Sequence, residues 1–278
     1  MLIPEFLHAL EHVVPLSAAG YERDAIGLQV GLAAGTELTG VLFAYEVTSE
    51  VIADARERDA NLIVAFHPLI FPTIPAVTDA TRTGMLIRAL IKSDIALYVQ
   101  HTAFDTHPEF GTSRLMAEAL GLKEIRTLSP LMREGLPAGT GMGALGILIE
   151  KMNRGALLIL TEQTFGAHGL RFNRGGPAQV RTVAMLGGAG MEYYSDARKA
   201  GADAFITADI RYHDFYLADH DGILLIDAGH AETERFVTLG MVRAATRAIT
   251  IVNLHGEIPA SRLLAAQAQP NSVRYYHS

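Results

Sequence analysis

Near the start of the chain, apolar positions recur at helical spacing. In EFLHALEHVV, Phe6, Leu7, Leu10 and Val14 fall on one face, and Pro4 sits where a first helical turn tolerates it. GVLFAY (40–45) and NLIVAF (61–66) are short unbroken apolar runs, the pattern of strands covered on both faces. The amphipathic stretch between them, SEVIADARERDA, reads as a helix, as does TGMLIRALIKSD, which is followed by the strand IALYVQ (95–100). The order resumes with strand VRTVAML (180–186), helix MEYYSDARKAG, strand DAFITA and strand GILLID (222–227). A helix from about Glu232 and a last strand, ITIVNL, close the series.

Strands alternating with helices predict an α/β protein with a largely parallel sheet. A repeat is also visible: Asp54-Ala55-Arg56 aligns with Asp196-Ala197-Arg198, and the same spacing carries His67 onto Asp209. Two related strand–helix–strand halves from a duplication explain this, as does chance similarity between amphipathic helices. The expected organisation is a first repeat over 1–125, an irregular connection over 126–180 and a second repeat over 181–278, intertwined as one globular unit. The connection contains GTGMGALG and GLRFNRGGPAQ, whose glycines break both periodicities.

Composition narrows the chemistry. The 278 residues are 49% hydrophobic and 19% charged, enough for a substantial core. A net charge of −7 without a basic run argues against nucleic acid as a partner. No apolar stretch approaches the roughly 20 residues of a membrane span, and the start lacks a signal-like pattern, so a cytoplasmic location is expected. Cysteine is absent, so any metal must be held by His, Asp and Glu.

Those residue types gather where strands end. LIVAF runs into His67, ALYVQ into His101 and then Asp105, FITA into Asp209, and LLIDAG into His230 and Glu234. In a parallel sheet the carboxyl ends lie along one edge, where open α/β sheets place ligands. Each residue also has a plainer role. A histidine after a strand commonly bonds to loop backbone, Asp105 and Asp209 suit helix caps, and His230 with Glu234 suits an i,i+4 surface pair. Jointly, they suit a divalent cation bound through N and O donors. His107 and Glu232 are further donors nearby, and surface exposure is the expected role of both. LGGAG (186–190) reads as a tight turn, since it lacks the dinucleotide fingerprint; GAHG (166–169) reads as loop. No Gly-x-Ser-x-Gly elbow is present. Tyr275 and Tyr276 in the tail suit packing or an oligomer contact.

The chain resembles the Nif-three-like dinuclear metal centre family, homologues of type 2 GTP cyclohydrolase I. The likeness rests on IGLQVG (26–31), HPLIF (67–71), HTAFD (101–105), GADAFITADIRYHD (201–214) and IDAGHAETE (226–234). It implies two intertwined α/β repeats around mixed, largely parallel sheets with a metal cavity, commonly assembled as a homohexamer. It further implies His67, Asp105, His230 and Glu234 as metal ligands, Glu234 bridging two ions, with His101 in a supporting or auxiliary role. Where the family has two adjacent histidines before proline, this chain has Phe66-His67. A phenyl ring offers no lone pair, so one of the two metal positions is expected to be weakened or empty, giving one or two ions per chain. Asp24-Ala25-Ile26-Gly27 also departs from the family's Asp-Asn-x-Gly element, so contacts around the cavity are expected to differ.

The function implied is metal-dependent hydrolysis of a small, phosphorylated or nucleotide-like substrate, with zinc, manganese or iron as the ion. His101, His107, His213 and Glu232 are the candidates for the general base. The competing reading is a non-enzymatic metal-binding or partner-interaction scaffold, which a degraded metal site favours.

Overall fold

The structure, a computed structural model, describes residues 1–33, 35–252, 258–267 and 271–273. Tyr275 and Tyr276 lie outside the described residues. The helices in chain order are α1 (Ile3–Val13), α2 (Ser49–Glu57), α3 (Arg82–Lys92), α4 (His101–Asp105) and α5 (Thr112–Ala119). They continue with α6 (Arg154–Phe165), α7 (Tyr194–Lys199), α8 (Tyr212–Asp221), α9 (His230–Thr233) and α10 (Val237–Ile251). The strands are β1 (Gly27–Val30), β2 (Val41–Ala44), β3 (Leu62–Ala65), β4 (Ala96–Val99), β5 (Lys123–Pro130) and β6 (Gly141–Asn153). Then come β7 (Arg171–Phe172), β8 (Gln179–Ala189), β9 (Ala204–Ala208), β10 (Leu224–Asp227) and β11 (Leu263–Ala265).

Two units share the chain, each built from two stretches: Met1–Phe104 with Val237–Pro270, and Asp105–Phe236 with Asn271–Ser278. The first unit holds a mixed sheet of order β1-β4-β3-β2-β11. Strands β4, β3, β2 and β11 run parallel and β1 pairs antiparallel to β4. Every residue of β2, β3 and β4 is buried, which is why their sequences are unbroken apolar runs. Thr48 and Thr81 cap α2 and α3 by accepting from Val51 N (3.2 Å) and Gly84 N (3.1 Å).

The C-terminal helix of this unit corrects a sequence expectation. ITIVNL was expected to be a strand, but α10 continues through Ile251; residues 253–257 are not described. Its β-branched run favours a strand locally, yet Met241, Ala244, Ala245, Ala248 and Ile249 form one buried stripe, and α10 packs on α1. Tertiary burial, worth about 1.5–3 kcal/mol for each large apolar side chain, outweighs a propensity difference of a few tenths.

The second unit holds a mixed sheet of order β5-β6-β8-β9-β10-β7. Its β8, β9 and β10 are parallel, whereas β5, β6 and β8 form an antiparallel meander and β7 pairs antiparallel to β10. Residues 126–180, expected to be irregular, contain most of β5 and all of β6, α6 and β7. Register shifts in the β5–β6 and β6–β8 pairings break the two-residue alternation that would have marked these strands. The segment after β10 also differs: the expected single helix is split into α9 and α10. Across the repeat, β2-α2-β3 and β8-α7-β9 follow the same strand–helix–strand order, with each strand pair parallel.

Candidate functional site

In the first unit, His67 follows β3 and His101 follows β4, so two neighbouring parallel strands deliver both imidazoles at their carboxyl ends. Their ring centroids are 5.7 Å apart. His101 Nδ1 lies 2.7 Å from Asp24 Oδ1, and Asp24 Oδ2 accepts from Thr102 N (3.1 Å) and Thr102 Oγ1 (2.5 Å). Burial raises the Asp24 pKa, but the bonds and charge from His101 and Thr102 outweigh it and hold the carboxyl below its usual range. His67 Nδ1 faces Glu46 Oε2 at 3.4 Å, and Arg82 donates to Glu46 Oε1 at 3.0 Å. Burial of Glu46 is likewise outweighed, by His67 and Arg82, so its pKa is lowered. Phe66 is fully buried, its ring among those of Tyr45, His67, His101 and Phe104. It fills space and supplies no donor.

In the second unit, β9 and β10 present Asp209 and the stretch from Asp227 to Glu234. His230 Nδ1 lies 2.7 Å from Asp209 Oδ2, and His230 Nε2 lies 3.2 Å from Glu234 Oε2. Burial disfavours the charged ring, yet bonds and charge from Glu234 and Asp209 prevail and raise the His230 pKa from 6.5 to about 9. The apolar run ends in Asp227 for a structural reason. Its carboxylate pairs with Arg171 and accepts from Ile210 N (3.3 Å) and Gly229 N (3.2 Å), fixing both neighbouring loops.

The Gly-rich end of β8 is a further correction. LGGAG is no tight turn: Leu186 to Ala189 stay in the strand, beyond an irregularity in its pairing with β9. Gly188 has φ +67°, and a Cβ there would stand 2.4 Å from Glu234 Oε1 and 3.0 Å from His230 Nε2. The missing side chain is therefore what admits both donors beside the strand.

The other candidates fall into different environments. Asp105 and His107 line a cavity in the second unit, and Asp105 stands in no cluster of three His or carboxylate donors among the described residues. His107 Nδ1 accepts from Glu109 N (3.1 Å) and Phe110 N (3.0 Å), which caps the turn before α5. Glu232 is buried and accepts from Asn271 Nδ2 at 3.0 Å. His213 is exposed in the first turn of α8, beside Tyr212. Tyr193 was not singled out from the sequence. Burial, then the charges of Glu192, Asp105 and Asp196, push its hydroxyl up to about 12, so it remains a neutral O–H donor.

One geometry recurs at His67, His101 and His230: Nδ1 faces a carboxylate. A carboxylate only accepts, so Nδ1 carries the proton, and a neutral ring held this way coordinates through Nε2. The His230 Nε2 to Glu234 Oε2 separation of 3.2 Å approaches the about 3.4 Å expected of two donors ~2.1 Å from one tetrahedral ion. The residues present in the second unit therefore fit a divalent cation, with His230 and Glu234 as its candidate metal-binding residues.

Fold and donors together define a mixed α/β protein with the makings of a metal site. The chain belongs to the DUF34/NIF3 (NGG1p interacting factor 3) family, whose model matches residues 1–258. It is 31% identical over 239 residues to a GTP cyclohydrolase 1 type 2 homolog of Clostridium perfringens, covering 84% of this chain and 87% of that one. A homologue of the same description from Streptomyces coelicolor is 36% identical over 236 residues, covering 84% and 81%. Among solved structures, a Bacillus cereus protein related to NIF3 superposes with a TM-score of 0.87 at 26% identity, over 99% of each chain. Among the described residues, no helix is long and apolar enough to cross a membrane.

Proposed function

We propose that the protein is a metal-dependent hydrolase of a small, phosphorylated or nucleotide-like substrate, with His67, Asp105, His230 and Glu234 as the ligands that the family resemblance implies. The observation that carries this reading is the Nδ1–carboxylate pairing of the histidines, which fixes ring orientation and raises ligand basicity. Zinc, manganese or iron suits the N and O donors, and such an ion supplies Lewis acidity and a water of lowered pKa. Glu46 and Asp209 hold the imidazoles in the coordinating tautomer. His101, kept in place by Asp24, and Tyr193, a neutral donor near Asp105, are suited to move or hold a proton on the substrate. His107, His213 and Glu232 remain in the set from which the base is drawn; of these, Glu232 is engaged with Asn271. Assembly as a cytoplasmic homohexamer belongs to the same proposal and is supported by the family resemblance.

The experiment is metal analysis of the purified full chain with an assay of phosphate release from a nucleotide and a generic phosphoester. Metal content with turnover in the wild type, both lost in Glu234→Gln, is the expected result. A chain that takes up no zinc, manganese or iron sinks the proposal.

Phe66 favours a second reading, a metal-binding scaffold without turnover, because its buried phenyl stands where the family has a histidine. Metal retained with no substrate turned over is the result that selects it.

A further inference from the structure

We infer that the cavity beside Asp105 is a phosphoryl pocket, holding the phosphate of a small phosphate ester through Arg126 and Arg114. The cavity lies within the second unit, has a volume of about 410 Å³ and is lined by Asp105, His107, Arg114, Arg126 and Thr127 among others. That volume is in the range of small-molecule sites, roughly 300–1,000 Å³.

The lining is prepared unevenly. Arg114 on α5 is anchored, donating from Nε to Glu118 Oε1 (2.8 Å) and from Nη1 to Ile125 O (3.3 Å). Arg126 on β5 is exposed, and its guanidinium makes no hydrogen bond or ion pair among the described residues. His107, in the turn before α5, accepts two backbone N–H groups at Nδ1, which fixes its ring in the lining. Arg114 on α5 and Arg126 on β5 thus bring two guanidinium groups to one lining from different elements. That suits a tetrahedral phosphate with several oxygens better than a planar carboxylate, which one guanidinium fork satisfies. Two guanidinium groups lining one cavity also run against the chain's net charge of −7. Asp105 is the opposing charge in the lining, and here the inference rests on the proposed function: a cation on Asp105 would offset it.

The test is calorimetric titration of inorganic phosphate, with acetate as the comparison, into the metal-loaded full chain and into Arg126→Gln and Arg126→Lys. Metal content and the unfolding midpoint are measured on the same samples. Phosphate is expected to bind at least tenfold more weakly to Arg126→Gln, with partial recovery in Arg126→Lys and unchanged metal. Phosphate affinity within twofold of wild type in Arg126→Gln overturns the pocket, and retained metal in that sample leaves the proposed function standing. Arg126-dependent phosphate binding in a chain that takes up no metal upholds the pocket while the proposed function fails. Acetate bound as tightly as phosphate, with the same dependence on Arg126, overturns the phosphoryl assignment.

Discussion

His230 and Asp209 meet through Nδ1 and Oδ2 at 2.7 Å, each just beyond the end of one of two adjacent parallel strands, β10 and β9. Asp209 holds a backbone φ of +53°, a left-handed conformation that costs a non-glycine residue about 1 kcal/mol or more. Removing the charge while keeping the shape isolates its role. Asp209→Asn is expected to weaken metal binding by about 10–100-fold with little change in the fold. Competition against a chromophoric chelator measures this, and equal affinity in the variant would separate Asp209 from the site.

Gly188 sets a steric test. In Gly188→Ala the new methyl collides with Glu234 Oε1 and the residue must hold φ +67°. The variant is expected to lose about 1–3 kcal/mol in denaturant unfolding and most of its metal. Wild-type stability together with full metal occupancy contradicts the placement of Glu234.

The raised pKa of His230 predicts a pH dependence. Without a cation, the charged ring stabilises the fold fully below about 6.5, and that contribution is lost as pH rises through about 9. A cation requires a neutral Nε2, so binding expels this proton within the window. Metal affinity should rise by up to tenfold per pH unit from about 6.5 to 9 and then level off. Calorimetry in buffers of different ionisation enthalpy should detect about one proton released from His230 near pH 7.5. Affinity that is flat across the window removes His230 from the ligand set.

Phe66→His tests the departure from the family's paired histidines. The added imidazole replaces a fully buried ring, so a loss of about 1–3 kcal/mol in the metal-free protein is expected. Metal per chain should rise, read by elemental analysis after dialysis. An unchanged ratio means the phenyl was not holding a ligand's place.

What the sequence disclosed, and what it hid, divides by range. Strands β2, β3, β4, β9 and β10 were legible because full burial writes itself as continuous apolar runs. His67, His101 and His230 were legible as polar residues that follow such runs. Their partners were not: Asp24 lies 77 residues before His101, and no local pattern links Glu46 to His67. The β5–β6 ribbon was hidden by its register shifts. At the end of α10, β-branched residues mimicked a strand because the burial that overrides them comes from α1, far away in the chain.

Gly188 has a use beyond this molecule. Most searches for metal proteins ask which donor atoms a sequence supplies. Here an equally sharp question concerns a position that must supply no atom at all, and a related chain with any bulkier amino acid in that slot should be suspected of having abandoned its ion even when every histidine and glutamate is in place.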